Sequence, residues 1–194
     1  SKEIIISTGM ASFEEIKRAL KILNKVKKKK ITILHCTSLY PVRKDLINLN
    51  ILDKIKKKFN HHIGYSDHSM TDEACLGAVA KGASIIEKHV TLNNSMSGPD
   101  HKASYNIKNF AKFVKKIRDF EIILGKSNKI ISKEENSIKL MARKSIVSKK
   151  LLKKGAIIKK NDICFKRPGT GFSPLDMRKI LGKKIKRDIK ANKV

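Results

Sequence analysis

Four short β-branched runs, each followed by an amphipathic stretch, restrict most sharply what this chain can fold into. The runs are residues 3–7, 31–37, 63–66 and 83–87. The helical stretches that follow them begin after Ser12 and cover 46–59, 71–81 and 107–124. Strands that alternate with helices read as a parallel α/β sheet, because parallel neighbours need a crossover and the crossover is right-handed. Local signals agree with this pattern. Ser12 and Glu15 form an S-x-x-E capping box, and Phe13, Ile16, Leu20, Leu23 and Val26 then make one apolar stripe. The lysine run 27–30 closes that helix, where positive charge complements the helix dipole. Pro41 breaks the loop after the second strand, and in the last stretch Ile107, Phe110, Val114, Ile117 and Phe120 line one face, with Gly125 as the stop. Four such units are half of an eight-stranded barrel or an open sheet, and periodicity does not choose between them.

The character of the chain changes after Gly125. Residues 126–135 are polar and connecting, and beyond Met141 the apolar runs shrink to 145–147, 156–158 and 163–165. Gly155, Pro168-Gly169-Thr170-Gly171 and Pro174 punctuate them. This is the pattern of a small, turn-rich β domain of roughly fifty residues behind a linker. The expected organisation is an α/β unit over 1–125, a linker over 126–138 and the small domain over 139–194.

Composition narrows the partners. The net charge of +28 comes almost wholly from lysine, gathered on polar helix faces and in runs such as 27–30 and 56–58. A nucleic-acid surface draws on arginine forks and aromatic stacking, whereas this chain has no tryptophan and places most of its few Phe and Tyr at core-like positions. Specific nucleic-acid binding is therefore not expected, although charge alone implies weak attraction to polyanions at low salt. No run of about 20 apolar residues is present to span a membrane, and the first residues do not read as a charged-then-apolar leader. Cys36, Cys75 and Cys164 are scattered without metal-ligand spacing, which fits a reducing compartment and a cytoplasmic location.

The chemistry-bearing residues lie at two strand ends. His68 closes Gly64-Tyr65-Ser66-Asp67-His68, and His89 closes Ile85-Ile86-Glu87-Lys88-His89, one strand–helix unit later. Both imidazoles then emerge at the C-terminal edge of the sheet, where α/β folds place their sites. Two neighbouring neutral imidazoles suit a borderline divalent metal such as manganese or zinc. A satisfied or merely exposed histidine fits the same pattern. Glu87 alternates with His89 and points to the same side, either orienting the site or forming a buried ion pair.

Several segments in fixed order carry a family resemblance. They are Ser7-Thr8-Gly9-Met10, His35-Cys36-Thr37-Ser38-Leu39-Tyr40-Pro41, the two histidine segments, Gly98-Pro99-Asp100-His101 and Arg167-Pro168-Gly169-Thr170-Gly171. Together they resemble the N-acetylneuraminate (sialic acid) synthase family, from about residue 3 almost to the end. The resemblance implies the C-terminal half of a (β/α)8 TIM barrel, units five to eight, followed by a SAF or antifreeze-like domain. It implies condensation of phosphoenolpyruvate with an N-acetylated hexose such as N-acetylmannosamine, giving a nine-carbon 2-keto sugar acid and phosphate. By the family's pattern His68 and His89 are the protein ligands of a divalent metal, manganese first and magnesium second, and with Asp100 they form the catalytic set. Ser38 and Ser66 match positions near the phosphoenolpyruvate carboxylate or phosphate, and Tyr40 and Asp100 match sugar-binding positions. Arg167 matches an arginine that reaches the N-acetyl group in the partner subunit's site, which implies a homodimer with exchanged SAF domains. The first four barrel units are not matched, so the other barrel half is expected in cis or in trans. Legionaminic or pseudaminic acid synthases, or a non-catalytic binding or dimerisation remnant, are the alternatives.

Overall fold

The computed structural model describes residues 3–25 and 30–194. Val26 and Lys27, Lys28 and Lys29 of the lysine run lie outside the described residues. The chain divides into two compact units, Ser1–Lys126 and Ser127–Val194.

The first unit alternates strand and helix: β1 (Ile4–Ser7), α1 (Phe13–Leu23), β2 (Ile31–Cys36), α2 (Ile51–Phe59), β3 (His62–Asp67), α3 (Glu73–Ala80) and β4 (Ile86–Lys88). The four strands pair in parallel in the order 1-2-3-4. β5 (Val90–Thr91) resumes one residue after β4 and pairs in parallel with β6 (Tyr105–Asn106), and α4 (Ile107–Leu124) follows at once. Period-two alternation sorts the sheet into two faces. Ile31, Ile33, Ile63 and Tyr65 join the core cluster with Ile16 and Leu20 of α1, Leu52 and Ile55 of α2, Ala78 of α3 and Phe113 of α4. All helices therefore cover one face, as in a (β/α)8 barrel, and the sheet forms a half-barrel. The opposite face carries Thr32, Leu34, Cys36, Gly64 and Ser66. A Cβ at Gly64 would lie 2.3 Å from Leu34 Cδ2 and 2.7 Å from the Ile85 carbonyl, so only glycine lets Leu34 pack across β3.

Several elements differ from their sequence expectation, each for a local reason. α1 ends at Leu23 with Asn24 as its C-cap, ahead of the lysine run. The stretch read as one helix over 46–59 is a 3₁₀ turn at Lys44–Leu46 followed by α2, because Asn48 adopts a left-handed φ of 56°. α3 is shorter than the stretch 71–81, and β4 lies later than the run 83–87. Ser84 and Ile85 bond to β3 before the regular ladder starts. On α4 the buried residues are Phe113 and Ile117, with Phe110 and Phe120 packed beside them. Ile107 and Val114, assigned to the stripe from spacing, are exposed. The larger Phe113 ring, 4.8 Å from that of Tyr105, turns the helix by one position.

A buried ion pair ties β3 to β4 on the helix side. Asp67 and Lys88 are register partners, their side chains 0% and 5% exposed, with Lys88 Nζ 2.5 Å from Asp67 Oδ2. Lys88 also donates to the Ser69 carbonyl (2.9 Å). Asp67 accepts from the Ser69 N–H (2.9 Å), the Tyr65 hydroxyl (3.1 Å) and the Cys75 thiol (3.2 Å). Burial acts to raise the Asp67 pKa, but the hydrogen bond and charge of Lys88 outweigh it and hold the carboxyl below its usual range. Burial and the nearby Asp67 push the Tyr65 phenol and the Cys75 thiol up, so both stay protonated donors.

The second unit begins with α5 (Lys133–Ala142), capped by Ser132, whose hydroxyl accepts from the Glu135 N–H (3.0 Å). This helix lies partly within the segment 126–138 read as a linker, because its polar composition conceals the cap. β7 (Ser145–Ser148) pairs antiparallel with β8 (Ile163–Lys166), and α6 (Met177–Ile180) is a single turn. The run 156–158 contributes only an isolated bridge, Ile157 to Lys184. Ile146, Val147, Leu152, Ile163 and Ile185 are buried in this unit. Among the described residues no helix is long and apolar enough to cross a membrane.

Two consequences can be measured. Lys88→Met strands a buried carboxylate and is expected to cost about 3–5 kcal/mol in urea unfolding. A shift below about 1 kcal/mol would show that water reaches the pair. His35 is buried, its Nε2–H donating to the Ile47 carbonyl (2.8 Å), and burial lowers its pKa despite that bond. The folded chain holds the neutral ring, so its stabilisation is complete above the unfolded value of about 6.5 and is lost as pH falls through the lower folded value. His35→Gln is expected to flatten this part of the stability–pH curve.

Candidate active site

The two histidines flagged by the sequence meet at the C-terminal ends of β3 and β4. His68 follows β3 directly and His89 follows β4 directly, and their rings lie 5.4 Å apart, edge to face. Two residues earlier on each strand, on the same face, Ser66 stands opposite Glu87, and its hydroxyl donates to the Glu87 carboxylate (2.7 Å). Glu87 is thus an orienting partner of Ser66.

Tyr40, in the loop after β2, completes the cluster. Its ring stacks on His68 at 3.9 Å and lies 4.9 Å from His89. His68 Nδ1 is 2.9 Å from the Thr37 carbonyl, which only accepts, so Nδ1 carries the proton. Nε2 is then an acceptor, and the Tyr40 hydroxyl donates to it at 2.8 Å. Burial lowers the His68 pKa and His89 lowers it further, against the Thr37 carbonyl, which favours the proton. The ring is neutral at physiological pH. The Tyr40 pKa is raised by burial and by Cys36, Asp100 and Glu87, so its hydroxyl keeps its proton.

Asp100 reaches the cluster from the loop between β5 and β6, with Oδ2 3.9 Å from His89 Nδ1, beyond a hydrogen bond. That loop borders a recess of about 280 Å³ lined by His89, Gly98, Pro99, Asp100 and Ser104. His101 is committed inside the loop, its Nδ1 2.8 Å from the Thr91 hydroxyl. Ser38 sits over the end of β1: a Cβ on Gly9 would lie 2.0 Å from Ser38 Oγ and 3.3 Å from Cys36 Sγ. Cys36 Sγ is in turn 3.8 Å from His68 Nδ1, which places Ser38 at the margin of the cluster. A larger recess of about 530 Å³, lined in part by Arg43, Lys44, Ser69 and Asp72, holds no comparable set. Its Asp72 already pairs with Lys116 (3.1 Å).

Arg167 belongs to the second unit, exposed on the turn after β8. The fully buried Ser145 hydroxyl holds that turn, donating to the Pro168 carbonyl (2.6 Å) and accepting from the Gly171 N–H (2.9 Å).

His68, His89, Tyr40 and Asp100 are therefore together, Ser66 is two residues below them on the same face, and Ser38 is at the edge. Sequence reasoning passed over Asp67 and Lys88, although each directly precedes a histidine. Alternation alone would have placed them as a cross-strand pair on the opposite face. Among the described residues no group of three or more His, Cys, Asp or Glu gathers to hold a metal. The donor set that can do so is the histidine pair. A histidine whose Nδ1–H is fixed by a carbonyl, leaving Nε2 as the donor atom, is the usual arrangement of a metal-binding imidazole.

Comparison with known proteins shows the family. Residues 1–129 match the NeuB family, and residues 143–194 match the SAF domain. The chain belongs to the NeuB family. It is 42% identical over 185 residues to the N,N'-diacetyllegionaminic acid synthase of Campylobacter jejuni, an alignment covering 94% of this chain and 55% of that protein. It is 31% identical over 186 residues to the human N-acetylneuraminate-9-phosphate synthase, covering 95% of this chain and 52% of that protein. The crystal structure of N-acetylneuraminic acid (sialic acid) synthetase from Leptospira borgpetersenii superposes with a TM-score of 0.64 at 39% identity, over 70% of this chain and 47% of that one. The chain spans about half the length of these relatives.

Proposed function

We propose that this NeuB-family chain carries the metal- and sugar-handling part of a synthase that condenses phosphoenolpyruvate with an N-acetylated hexose. The product is a nine-carbon 2-keto sugar acid, and phosphate is released. The observation that carries this reading is the convergence of His68, His89, Tyr40 and Asp100 at adjacent strand ends.

The residues divide the work by their chemistry. His68 and His89 would hold a divalent cation, manganese in the first instance. When bound, such a cation supplies Lewis acidity toward an aldehyde oxygen. Tyr40 keeps its proton and offers a donor at the same point as His68 Nε2, so it orients an oxygen placed between the rings. Asp100, exposed and beside His89, accepts hydroxyl donors of the sugar. Ser38 presents its hydroxyl to the anionic substrate, and Ser66 would join it once its single O–H turns away from Glu87. In the overall reaction C3 of phosphoenolpyruvate bonds to the aldehyde carbon, water adds at C2, and the C2–O bond to phosphate breaks. Arg167, fixed by its Ser145-bound turn, would contact the N-acetyl group in a dimer that exchanges SAF domains. The remaining strands of the barrel would complete the site. The higher identity to the diacetyllegionaminic relative than to the human enzyme favours, as a second reading, a di-N-acetylated sugar.

The test is phosphate release from phosphoenolpyruvate by the native polypeptide, with manganese and either N-acetylmannosamine or a di-N-acetylated hexose. Chelation is expected to abolish turnover and manganese to restore it, and His68→Ala or His89→Ala to lower kcat about 100-fold or more. Full activity after chelation would sink the metal assignment. No phosphate release with either sugar would sink the substrate class.

A further inference from the structure

The groups that most constrain the two histidines are on the other side of the sheet. Asp67 immediately precedes His68, and Lys88 immediately precedes His89. The pair they form is cross-strand, closed to water and extended by four further contacts: Lys88 to the Ser69 carbonyl, and Ser69 N–H, Tyr65 hydroxyl and Cys75 thiol to Asp67. Ser69 immediately follows His68, so the backbone is pinned on both sides of that residue. Lys88 also lies over the Tyr105 ring (5.8 Å), and the Tyr105 N–H donates to the His89 carbonyl (2.7 Å). The His68 carbonyl is held in the same way by the Val42 N–H (3.0 Å).

Stability alone is a weak reason to bury an ion pair here. Replacing such a pair by apolar groups of similar shape is often neutral or stabilising. An apolar pair would fix which face of the strands is buried, but not the separation or orientation of the two side chains. A pair bonded at Nζ and both carboxylate oxygens fixes both, and a one-residue slip would break it and carry the histidine of the slipped strand to the opposite face.

We propose that Asp67 and Lys88 are positioning residues: through the helix-side face of β3 and β4 they set the separation and orientation of the His68 and His89 rings. That the set spacing serves to hold a divalent cation rests on the synthase reading. The positioning itself does not.

Both parts can be read separately. In the metal-free protein with labelled histidines, the edge-to-face rings are expected to give a His68–His89 inter-ring nuclear Overhauser effect. Asp67→Asn/Lys88→Met removes the charges together and retains much of the packed volume, and Asp67→Asn is the milder second variant. Leu52→Ala, in the fully buried core of α2, is the control for lost stability without a change at the pair. The cross-peak is expected to survive in Leu52→Ala and to be lost or at least halved in the double variant. Manganese ion alone, titrated by electron paramagnetic resonance, is expected to bind about 10-fold or more weakly to the double variant. An unchanged cross-peak in both pair variants, or none in the wild type, overturns the proposal. If the wild type binds no manganese while the cross-peaks behave as expected, the positioning role stands and the metal reading falls.

Discussion

A carboxylate and an ammonium group buried together must satisfy each other, and in this chain that requirement joins two strands at the edge where we propose the metal site. Asp67 and Lys88 are almost wholly withdrawn from solvent, and every nearby donor is directed at the carboxylate. Breaking such a pair leaves one buried charge alone, which costs far more than the intact pair contributes. The strand ends thus have one low-energy register. The histidines inherit it.

The rest of the first unit follows from the alternation of side chains along those strands. One set of residues enters the helix-packed core, where Ile33, Tyr65, Leu52 and Ile55 are almost wholly withdrawn from solvent. The other set is hydrophilic near the strand ends: Ser66, Glu87, His68 and His89. Helices on one face and chemistry at the C-terminal edge of the other are the division of labour of a (β/α)8 barrel. Gly9 and Gly64 fit the same logic, since each gives up its side chain to make room for Ser38 over the end of β1 and for Leu34 across β3.

Much of this was legible in the sequence because it depends on period and spacing. The strand–helix alternation, the Ser12–Glu15 capping box and the two histidine-closed strands need only local pattern, and the structure contains them. What was not legible depends on contacts between distant residues. Spacing could not show that Phe113 rather than Val114 faces the core, because the Tyr105 ring decides it. The break before α2 comes from one asparagine in a left-handed conformation, and α5 is announced only by Ser132 and its cap. The tautomer of His68 is set by the backbone carbonyl of Thr37, which no side-chain motif records. Asp67 and Lys88 were in view as letters, but their burial emerges only once α3 and Tyr105 close over them.

The most direct measurement is an anomalous difference map from crystals of the native polypeptide soaked in manganese. A peak bonded to Nε2 of His68 and to a ring nitrogen of His89, with Tyr40 moved off His68 and the Asp67–Lys88 pair intact, is the expected result. A peak that engages only one of the two histidines, or manganese bound elsewhere with the two rings undisturbed, would contradict the assignment of this strand edge as the metal site.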